Sequence, residues 1–372
     1  MSCVGIFIGQ CGVSIGLEIL KDAPPFLQCY DGSQHAIFID TEIKVLRRIQ
    51  SRFISSTNVF SDLPGCGGCF AKGISSAESF VSQIMDKIQG EIERTDCCMG
   101  FLLVHSLCGG TGSGYGSCIT QEIKCRYPEM FVANVAVLPF RTGENPIQSY
   151  NVVLAVERLQ QASDMMILVE NSVVVTDLAT KSNVSMDQIN SKIVQDLQII
   201  FRNSKQTPNR CAMWELIKIV SAIPTIKFTS FGSYFGLDNT DNCNQAARSI
   251  KRRTGFSKSR SIAGVVLNSD TKYCLLSKPM ETKFQKAFNF VDWNPFPVEF
   301  WCSKSKDRGI NYAINNEHIV TALLEEADRA LLKCDAGAYL HWFEQYGIGK
   351  SDFQQAFEVI NKIHEDYTYY CK

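Results

Sequence analysis

The chain has 372 residues, 45% hydrophobic and 20% charged, which is typical of a folded globular protein and excludes a disordered one. Its 37 Lys and Arg against 38 Asp and Glu give a net charge of -1, so no overall field would attract nucleic acid or an anionic membrane. The first eight residues lack the pattern of a secretory signal, and no apolar run is long enough to span a bilayer. The 16 cysteines are scattered, which favours a reducing compartment and predicts no disulfides. The sequence thus predicts a cytosolic or nuclear protein with no membrane or nucleic-acid partner.

Short apolar runs in the first half predict buried parallel strands. These runs are Val4–Ile8, Ala36–Ile39, Gly100–His105, Val132–Leu138 and Met165–Val169. Because each is followed by a loop and a helical pattern, we expect a doubly wound α/β sheet in a domain spanning residues 1–185. Ligands of such sheets bind outside the carboxyl ends of the strands, so the loops after the strands are the candidate site.

The second half predicts a connecting helix and a smaller mixed-sheet α+β domain. A helical pattern runs from Met186 to Phe201 and is assigned to a core helix spanning 186–208. A second helix, Ala212–Val220, opens a domain spanning 209–312 and is stopped by Pro224. The predicted strands of that domain are Ser261–Leu267, Phe288–Trp293 and Val298–Cys302.

Two amphipathic helices are predicted in the last region, 313–372. The first places Ile319, Leu323, Ala327 and Leu331 on one buried stripe. The second begins at Ser351, with Gln354 completing a capping box, and aligns Phe353, Phe357 and Ile360. Core packing is the predicted role of both stripes.

The strongest local signal is the glycine-rich run Gly109-Gly110-Thr111-Gly112-Ser113-Gly114, between an apolar strand and a helical pattern. Without Cβ atoms, the backbone of such a loop can approach a polyphosphate closely, and the following helix adds its positive N-terminal end. The run is neither a Walker loop nor a GxGxxG dinucleotide fingerprint. A flexible turn is the alternative, but the position between strand and helix favours a phosphate cradle.

A second glycine-bearing loop, Gly9-Gln10-Cys11-Gly12-Val13-Ser14-Ile15-Gly16, also follows a strand and opens a helix. Together the two loops resemble those of the tubulin superfamily, which read GQCG-x-x-IG and GGGTGSG. Here Cys108 replaces the first glycine of the second pattern.

The resemblance extends over most of the chain. It includes Phe290-Val291-Asp292-Trp293, the segment Ala338–Phe343, and Thr142-Gly143-Glu144 followed by Gln148-Ser149-Tyr150-Asn151. These segments are most similar to delta-tubulin, with zeta-tubulin a close alternative. The resemblance implies a GTP-binding cytoskeletal protein of centrioles and basal bodies in the cytoplasm, with other tubulins, microtubules and centriolar proteins as partners.

The resemblance also implies a nucleotide site. The expected phosphate contacts are Gly9, Gln10, Cys11, Gly12, Gly67, Gly68, Ser106, Gly109, Gly110, Thr111, Gly112 and Ser113. Asp40 and Glu42 should face Mg²⁺, a hard cation that prefers carboxylates and water. The expected ribose and base contacts are Glu144, Gln148, Asn171, Met186 and Asn190.

Several positions depart from the family pattern. Gln148 stands at the usual ribose-binding glutamate, and Met186 stands where an aromatic ring usually covers the base. In the loop Gly67-Gly68-Cys69-Phe70-Ala71-Lys72-Gly73, glycine and cysteine replace the paired asparagines that touch the terminal phosphates. We therefore expect weaker sensing of the terminal phosphate.

The cysteines Cys66 and Cys69 raise the alternative of a zinc knuckle completed by Cys97 and Cys98. A structural zinc site normally needs a second CxxC or CxxH pair, which is missing here. The sequence does not favour this alternative.

Glu215 aligns with the carboxylate that a tubulin supplies to its neighbour's nucleotide. In that role it would orient a water for in-line attack on the γ-phosphate, so the predicted activity is a weak, assembly-dependent GTPase. Ala212 and Arg210 replace nearby polar residues of the family, and the alternative is an adaptor that holds GTP or GDP without hydrolysis. A nicotinamide-dependent oxidoreductase is disfavoured because its fingerprint is missing.

The run Lys251-Arg252-Arg253, followed by Lys258 and Arg260, is a local basic patch. A solvated loop is one interpretation, and docking onto an acidic microtubule surface is the other. Segments before Asp40 and between Phe228 and Ser261 are shorter than in tubulins. Because those segments make lateral contacts in the family, we expect no normal lattice wall, while longitudinal stacking stays possible.

Overall fold

The computed structural model describes residues 2–22, 24–29, 33–47, 58–60, 65–143, 145–178, 184–201, 212–236, 238–255, 259–269, 276–304 and 308–372. The strands in these ranges are β1 Ser2–Ile8, β2 Ala36–Ile39, β3 Val59–Phe60, β4 Cys98–Ser106, β5 Phe131–Leu138, β6 Met165–Glu170, β7 Phe228–Phe235, β8 Ser261–Ser269, β9 Val298–Ser303 and β10 Gly309–Asn316.

The α-helices are α1 Gly9–Lys21, α2 Ile43–Leu46, α3 Phe70–Glu93, α4 Gly116–Arg126, α5 Gln148–Ala162, α6 Asn171–Leu178, α7 Met186–Asp196, α8 Gln198–Phe201, α9 Ala212–Val220, α10 Asn239–Arg253, α11 Lys278–Phe288, α12 Ile319–Asp335, α13 Leu340–Glu344 and α14 Lys350–Tyr370. A 3₁₀ turn covers Pro25–Leu27, and a π-helical turn covers Thr111–Tyr115.

The strands form one sheet in the order β3-β2-β1-β4-β5-β6-β7-β10-β8-β9. Every pairing from β3 to β7 is parallel, whereas β10 pairs antiparallel with both β7 and β8. The parallel α/β sheet predicted for the first half is confirmed, and the second half is mixed. The predicted strand Phe288–Trp293 is wrong, because Phe288 ends α11 and Phe290 makes only one bridge, to Ser261.

Helices cover both faces of the parallel part of the sheet, which explains why its strands are largely apolar on both faces. α1 and α7 pack together on one face, and α3, α4 and α5 pack on the other. Every residue of β5 and β2 is buried. Such two-sided burial selects continuous apolar runs rather than alternation.

The helical pattern between the two halves is confirmed with a break. α7 ends at Asp196 and α8 begins at Gln198, so Leu197 interrupts the predicted helix. α9 has the predicted bounds, Ala212–Val220. Residues 202–211, which include Arg210 and the predicted end of the core helix, lie outside the described residues. No helix of the described chain combines the length and the apolarity that a membrane span needs.

The C-terminal helices pack on α5 through aromatic contacts. The ring of Tyr150 lies 4.6 Å from that of Phe353, and its hydroxyl donates to the carbonyl oxygen of Ala338 at 2.9 Å. On α12, Leu331 is 44% exposed and Ala330 is buried instead, because the helical repeat moves the stripe back by one residue.

The predicted capping box of the last helix is also wrong. α14 begins at Lys350, and the carboxylate of Asp352 accepts from the backbone N–H of Gly349 at 2.8 Å. The side chain of Gln354 donates to Glu358 one turn further along. An acidic side chain takes the cap because it also favours the positive N-terminal end of the helix.

The predicted basic docking loop is instead the end of α10, and two of its residues are paired inside the protein. Arg252 donates to Asp177 at 2.6 Å, and Arg253 lies 3.2 Å from the same carboxylate and 3.9 Å from Asp196. The side chain of Asp177 is only 1% exposed. Lys251 is exposed, and Lys258 lies outside the described residues. This ion cluster joins α6 and α7 of the first half to α10 of the second.

Asp177→Ala should destabilise the protein strongly, because it leaves the Arg253 guanidinium buried without its nearest carboxylate. We expect the free energy of unfolding to fall by about 3–5 kcal/mol, measured by chemical denaturation. Asp86→Ala, at an exposed position on α3, is the matched control and should change it by at most ~0.5 kcal/mol. Equal small losses in both variants would contradict the role given to the cluster.

A buried polar group lies just before the end of β4. The Nε2 of His105 lies 3.0 Å from Oδ1 of Asn134, which also accepts from Thr120. Burial lowers the pKa of His105 from 6.5 to about 4. The imidazole is therefore neutral in the folded protein at neutral pH.

This burial predicts acid sensitivity. Below pH 6.5 His105 is protonated in the unfolded chain, whereas in the folded chain it stays neutral down to about pH 4. The free energy of unfolding therefore falls as the pH falls through that window. Between pH 7 and pH 5 the loss should be about 2 kcal/mol. His105→Gln should show a smaller drop in melting temperature over this range than the native protein. The exposed His364 on α14 is the control position, and His364→Gln should show the same drop in melting temperature as the native protein. If His105→Gln also showed that full drop, the assignment of the acid sensitivity to His105 would be refuted.

Candidate functional site

The strand order places a topological switch point between β1 and β4. The next strand along the chain from β1 lies on one side of it, whereas β4 to β6 extend on the other. The two strands are in register to their ends, with Ile8 opposite His105. Crevices at such a point, outside the carboxyl ends of the strands, are where doubly wound sheets bind ligands. Both predicted glycine loops begin there.

The two glycine loops touch each other through their backbones. Gly9 has φ +72°, and a Cβ on it would lie 3.2 Å from the backbone nitrogen of Gly112. A third contact comes from the β2 side, where the hydroxyls of Thr41 and Thr111 lie 3.0 Å apart. The loops after three neighbouring strands therefore meet.

The loop before α3 packs on the same place. A Cβ on Gly110 would lie 2.6 Å from the carbonyl oxygen of Cys69. Gly67 and Gly68 both have positive φ, which forms a tight turn. This arrangement brings the predicted Gly67 and Gly68 beside the predicted Gly109 and Gly110.

Asn151 holds these loops together and was missed as a functional residue. Its side-chain amide donates to the carbonyl oxygens of Cys108 at 2.6 Å and Gly68 at 2.7 Å, and its Oδ1 accepts from the backbone N–H of Phe70 at 2.9 Å. The only sequence signal was its place in the segment Gln148–Asn151. Its partners are 43 and more residues away in the chain, so no local pattern reveals its role.

Asp40 directly follows β2 and is the best candidate cation ligand at this edge. Its Oδ1 accepts from the backbone N–H of Glu42 at 2.8 Å, whereas its buried Oδ2 has no hydrogen-bond partner among the described residues. Burial raises the pKa of Asp40. Glu42 is exposed. A buried oxygen without a partner is costly unless something binds it, and a hard cation fits this carboxylate.

The predicted base-contacting residues lie at the other end of the same edge. Asn171 follows β6, is buried, and donates to the carbonyl oxygen of Leu138, but its Oδ1 has no partner within the described part of the chain. Asn190 is buried on α7, and Met186 is 54% exposed in the first turn of that helix. Gln148 begins α5 and donates to the carbonyl oxygen of Phe140. Glu144 lies outside the described residues.

Two predicted hydroxyl contacts are occupied within the glycine-rich loop itself. The Ser106 hydroxyl accepts from the backbone N–H of Cys108 at 3.1 Å, and the Ser113 hydroxyl donates to the carbonyl oxygen of Gly109 at 2.6 Å. Both side chains therefore shape the loop, and Thr111 is the hydroxyl nearest the β2 side.

The first loop supplies neutral side chains. Gln10 is exposed in the first turn of α1, and Cys11 is half-buried beside it. Burial and the nearby Cys108 thiol raise the pKa of Cys11 to about 12. A thiol that stays protonated adds no negative charge next to a phosphate.

Glu215 lies at the opposite edge of the sheet. The neighbouring Trp214 stacks on Phe131 with ring centroids 5.3 Å apart, and Phe131 is the first residue of β5. An eight-residue strand is about 23 Å long, so the glycine loops at the carboxyl ends are out of reach. The Glu215 side chain is 17% exposed and lies 3.5 Å from Lys218. It cannot act on a ligand bound by its own loops.

The zinc knuckle considered for Cys66, Cys69, Cys97 and Cys98 is not formed. Cys66 and Cys69 lie at the carboxyl edge, where they surround Gly110. Cys98 begins β4 and is therefore at the opposite edge. A strand of nine residues separates the two pairs.

Comparison with known proteins relates the first half of the chain to one family of GTPase domains. Residues 2–177 match the Tubulin/FtsZ family, GTPase domain. The Tubulin delta chains of Canis lupus familiaris and Mus musculus are each 28% identical, over 57% and 54% of this chain. The matches span only 55% and 53% of the length of those two relatives. The Tubulin gamma chain of Candida glabrata is 25% identical over 98% of this chain and 93% of its own length. Residues 2–177 therefore carry a Tubulin/FtsZ-type GTPase domain, and the chain beyond them is similar to Tubulin gamma chains.

Proposed function

We propose that the protein binds GTP or GDP along the carboxyl edge of its parallel sheet. The observation that carries this proposal is a pair of buried oxygens, Asp40 Oδ2 and Asn171 Oδ1, which have no hydrogen-bond partner in the described part of the chain and lie on either side of the glycine loops. β2 and β6 are four strand spacings apart in the sheet, or about 19 Å. This length suits an extended nucleotide, with its phosphates at the β1 and β4 loops and its base at α6 and α7.

The chemistry of the two ends matches guanine and a metal-bound triphosphate. An asparagine oxygen accepts from the N–H groups of guanine, and its amide donates, so Asn171 and Asn190 suit that base. Met186 offers an apolar side chain to cover the ring. Asp40, with Glu42, would hold Mg²⁺, which when bound neutralises phosphate charge and orients the terminal phosphate.

Hydrolysis in this proposal requires a neighbour. Because Glu215 lies at the opposite edge from the loops, it can reach only the nucleotide of another subunit stacked head to tail. There its carboxylate would accept a proton from the attacking water and orient it in line. A monomer would hydrolyse GTP slowly at best.

Exposed aromatic side chains at both edges support head-to-tail stacking. Tyr339 and Trp342 are exposed next to the loop before α3, where the carbonyl oxygen of Trp342 accepts from the Cys69 thiol. Trp293 and Phe296 are exposed beside Lys218 and thus near Glu215. Aromatic residues are enriched in protein interfaces. Longitudinal partners would be other tubulins or further copies of this chain.

We place this activity in the cytoskeleton of the cytoplasm, at centrioles or basal bodies. The support is the likeness to Tubulin delta chains and the resemblance of the segments quoted above. The exposed Lys251 and the aromatic edges, rather than Arg252 and Arg253, are the surfaces left for microtubules and centriolar proteins.

A second candidate is an adaptor that holds guanine nucleotide without turnover. The observation that favours it is the ion pair between Glu215 and Lys218, 3.5 Å apart, which holds the carboxylate on its own subunit. Gly68 and Cys69, in place of the family's paired asparagines, also weaken contact with the terminal phosphate.

Neighbouring glycines should separate binding from folding. A Cβ at Gly109 meets no protein atom within 4 Å, so Gly109→Ala should keep the fold but intrude on the phosphates and weaken guanine-nucleotide binding by about tenfold or more. Gly110→Ala should lower both the melting temperature and nucleotide retention, because its Cβ meets Cys69.

The measurements are nucleotide content after purification, affinity for a fluorescent GTP analogue, and melting temperature. Gly90→Ala, in open space on α3, is the control and should keep native binding while adding up to ~1 kcal/mol of stability. Native affinity in Gly109→Ala would contradict the assignment of the phosphate site.

Turnover should depend on assembly and on Glu215. GTP hydrolysis per subunit should rise with protein concentration, and Glu215→Ala should lower it on the order of 10²-fold. Glu358→Ala, at an exposed position on α14, is the matched control and should have native turnover. Bound nucleotide with no turnover in any variant would favour the adaptor; turnover independent of concentration would refute action on a neighbour.

A further inference from the structure

A cluster of metal-binding side chains lies at the amino edge of the sheet, opposite the nucleotide loops. Cys29 and His35 come from the hairpin that leads into β2, and Glu91 comes from the last turn of α3. The Cys29 Sγ lies 3.2 Å from His35 Nδ1, which lies 3.0 Å from Glu91 Oε2. All three ligand atoms lie within 4.8 Å of one another. We propose that Cys29, His35 and Glu91 bind a divalent transition-metal ion, with Zn²⁺ the best match.

The backbone fixes the first two ligands. The N–H of Cys29 donates to the carbonyl oxygen of Ser33 at 2.9 Å, and that of His35 donates to Leu27 at 2.7 Å. The bridge between Gln28 and Gln34 closes the same hairpin. Cys29 and His35 are thereby held on one side of it.

The third ligand is held by a second shell. Glu91 Oε1 accepts from Asn58 at 2.7 Å and from Arg94 at 2.8 Å, which leaves Oε2 directed at His35. Outer-shell hydrogen bonds of this kind orient carboxylates in metal sites. Asn58 and Arg94 thus fix the Glu91 carboxylate from the side away from His35.

The donor set selects the metal. Sulfur, imidazole nitrogen and one carboxylate suit Zn²⁺ or Co²⁺, whereas Mg²⁺ prefers oxygen ligands. Metal binding releases the thiol proton of Cys29, so thiolate and carboxylate together balance the charge of a divalent ion. In the protein without an ion, Nδ1 of His35 already lies within hydrogen-bond distance of both Cys29 Sγ and Glu91 Oε2.

The position separates this site from the nucleotide. β2 runs between them, with His35 before its first residue and Asp40 after its last. The ion would link the hairpin to the C-terminal end of α3. The N-terminal end of the same helix lies beside the glycine loop that contains Gly110. Cys29 is half-buried, which gives an ion a way in, and three protein ligands leave one position for water.

The test is metal binding by the full chain after treatment with a chelator. Adding Co²⁺ alone should give one tightly bound equivalent and a cobalt–thiolate charge-transfer band, and Zn²⁺ should displace it and raise the melting temperature on the order of 5 °C. Cys29→Ser should abolish the band. Asn58→Ala should lower affinity between ~10- and ~100-fold while keeping the band.

Two controls make the outcome decisive. Cys125→Ser removes an exposed thiol of α4 and should leave the band unchanged, and Asp40→Asn should leave Co²⁺ binding unchanged. The melting curve of Cys29→Ser without metal should match that of the native chain without metal, which excludes misfolding. A band that survives Cys29→Ser, or no stoichiometric Co²⁺ binding by the native chain, would overturn the proposal.

Discussion

Contact between backbones at glycine positions is the constraint on which the candidate site depends. A Cβ on Gly12 would lie 2.1 Å from the carbonyl oxygen of Val104, and one on Gly112 would lie 2.4 Å from that of Ser106. α1 therefore lies directly on β4, and the loop after β4 folds back against its own strand. Larger residues would force these elements apart, since a packed interior has no space to absorb a methyl group.

The same sheet also separates the two halves of the proposed chemistry. Its parallel strands bring the proposed phosphate, metal and base contacts to one edge, and they hold Glu215 at the other. In the proposed function, one subunit therefore binds the nucleotide alone but needs a neighbour for catalysis. The ion cluster of Asp177, Arg252 and Arg253 then matters, because it fixes α6, which begins at Asn171, to the second half of the molecule.

Much of this architecture could be predicted from the sequence. Strands buried on both faces have continuous apolar sequences, and the glycine loops between a strand and a helix have a characteristic spacing of glycines. The sequence therefore predicts the parallel sheet and its loops. The failures at Arg253 and at Phe288–Trp293 share one cause, which is dependence on distant partners. In the sequence, Arg253 resembles a surface cation, and only the fold places Asp177 beside it. The aromatic run Phe288–Trp293 resembles a strand, but its first residue is the last residue of a helix.

Asn151 and the group of Cys29, His35 and Glu91 were missed for the same reason. Glu91 lies 56 residues from His35 in the chain, and no local spacing connects them. The division into residues 1–185, 186–208, 209–312 and 313–372 stays a prediction, since the sheet runs without a break through β7.

Complementation between two inactive variants tests the central claim most directly. Glu215→Ala keeps an intact nucleotide site, and Gly109→Ala keeps an intact Glu215, so neither should hydrolyse GTP well alone. In an equal mixture, about a quarter of random head-to-tail contacts pair an intact site with an intact Glu215. The account predicts that the mixture recovers turnover of that order. A mixture as inactive as its two components would contradict catalysis between neighbouring subunits.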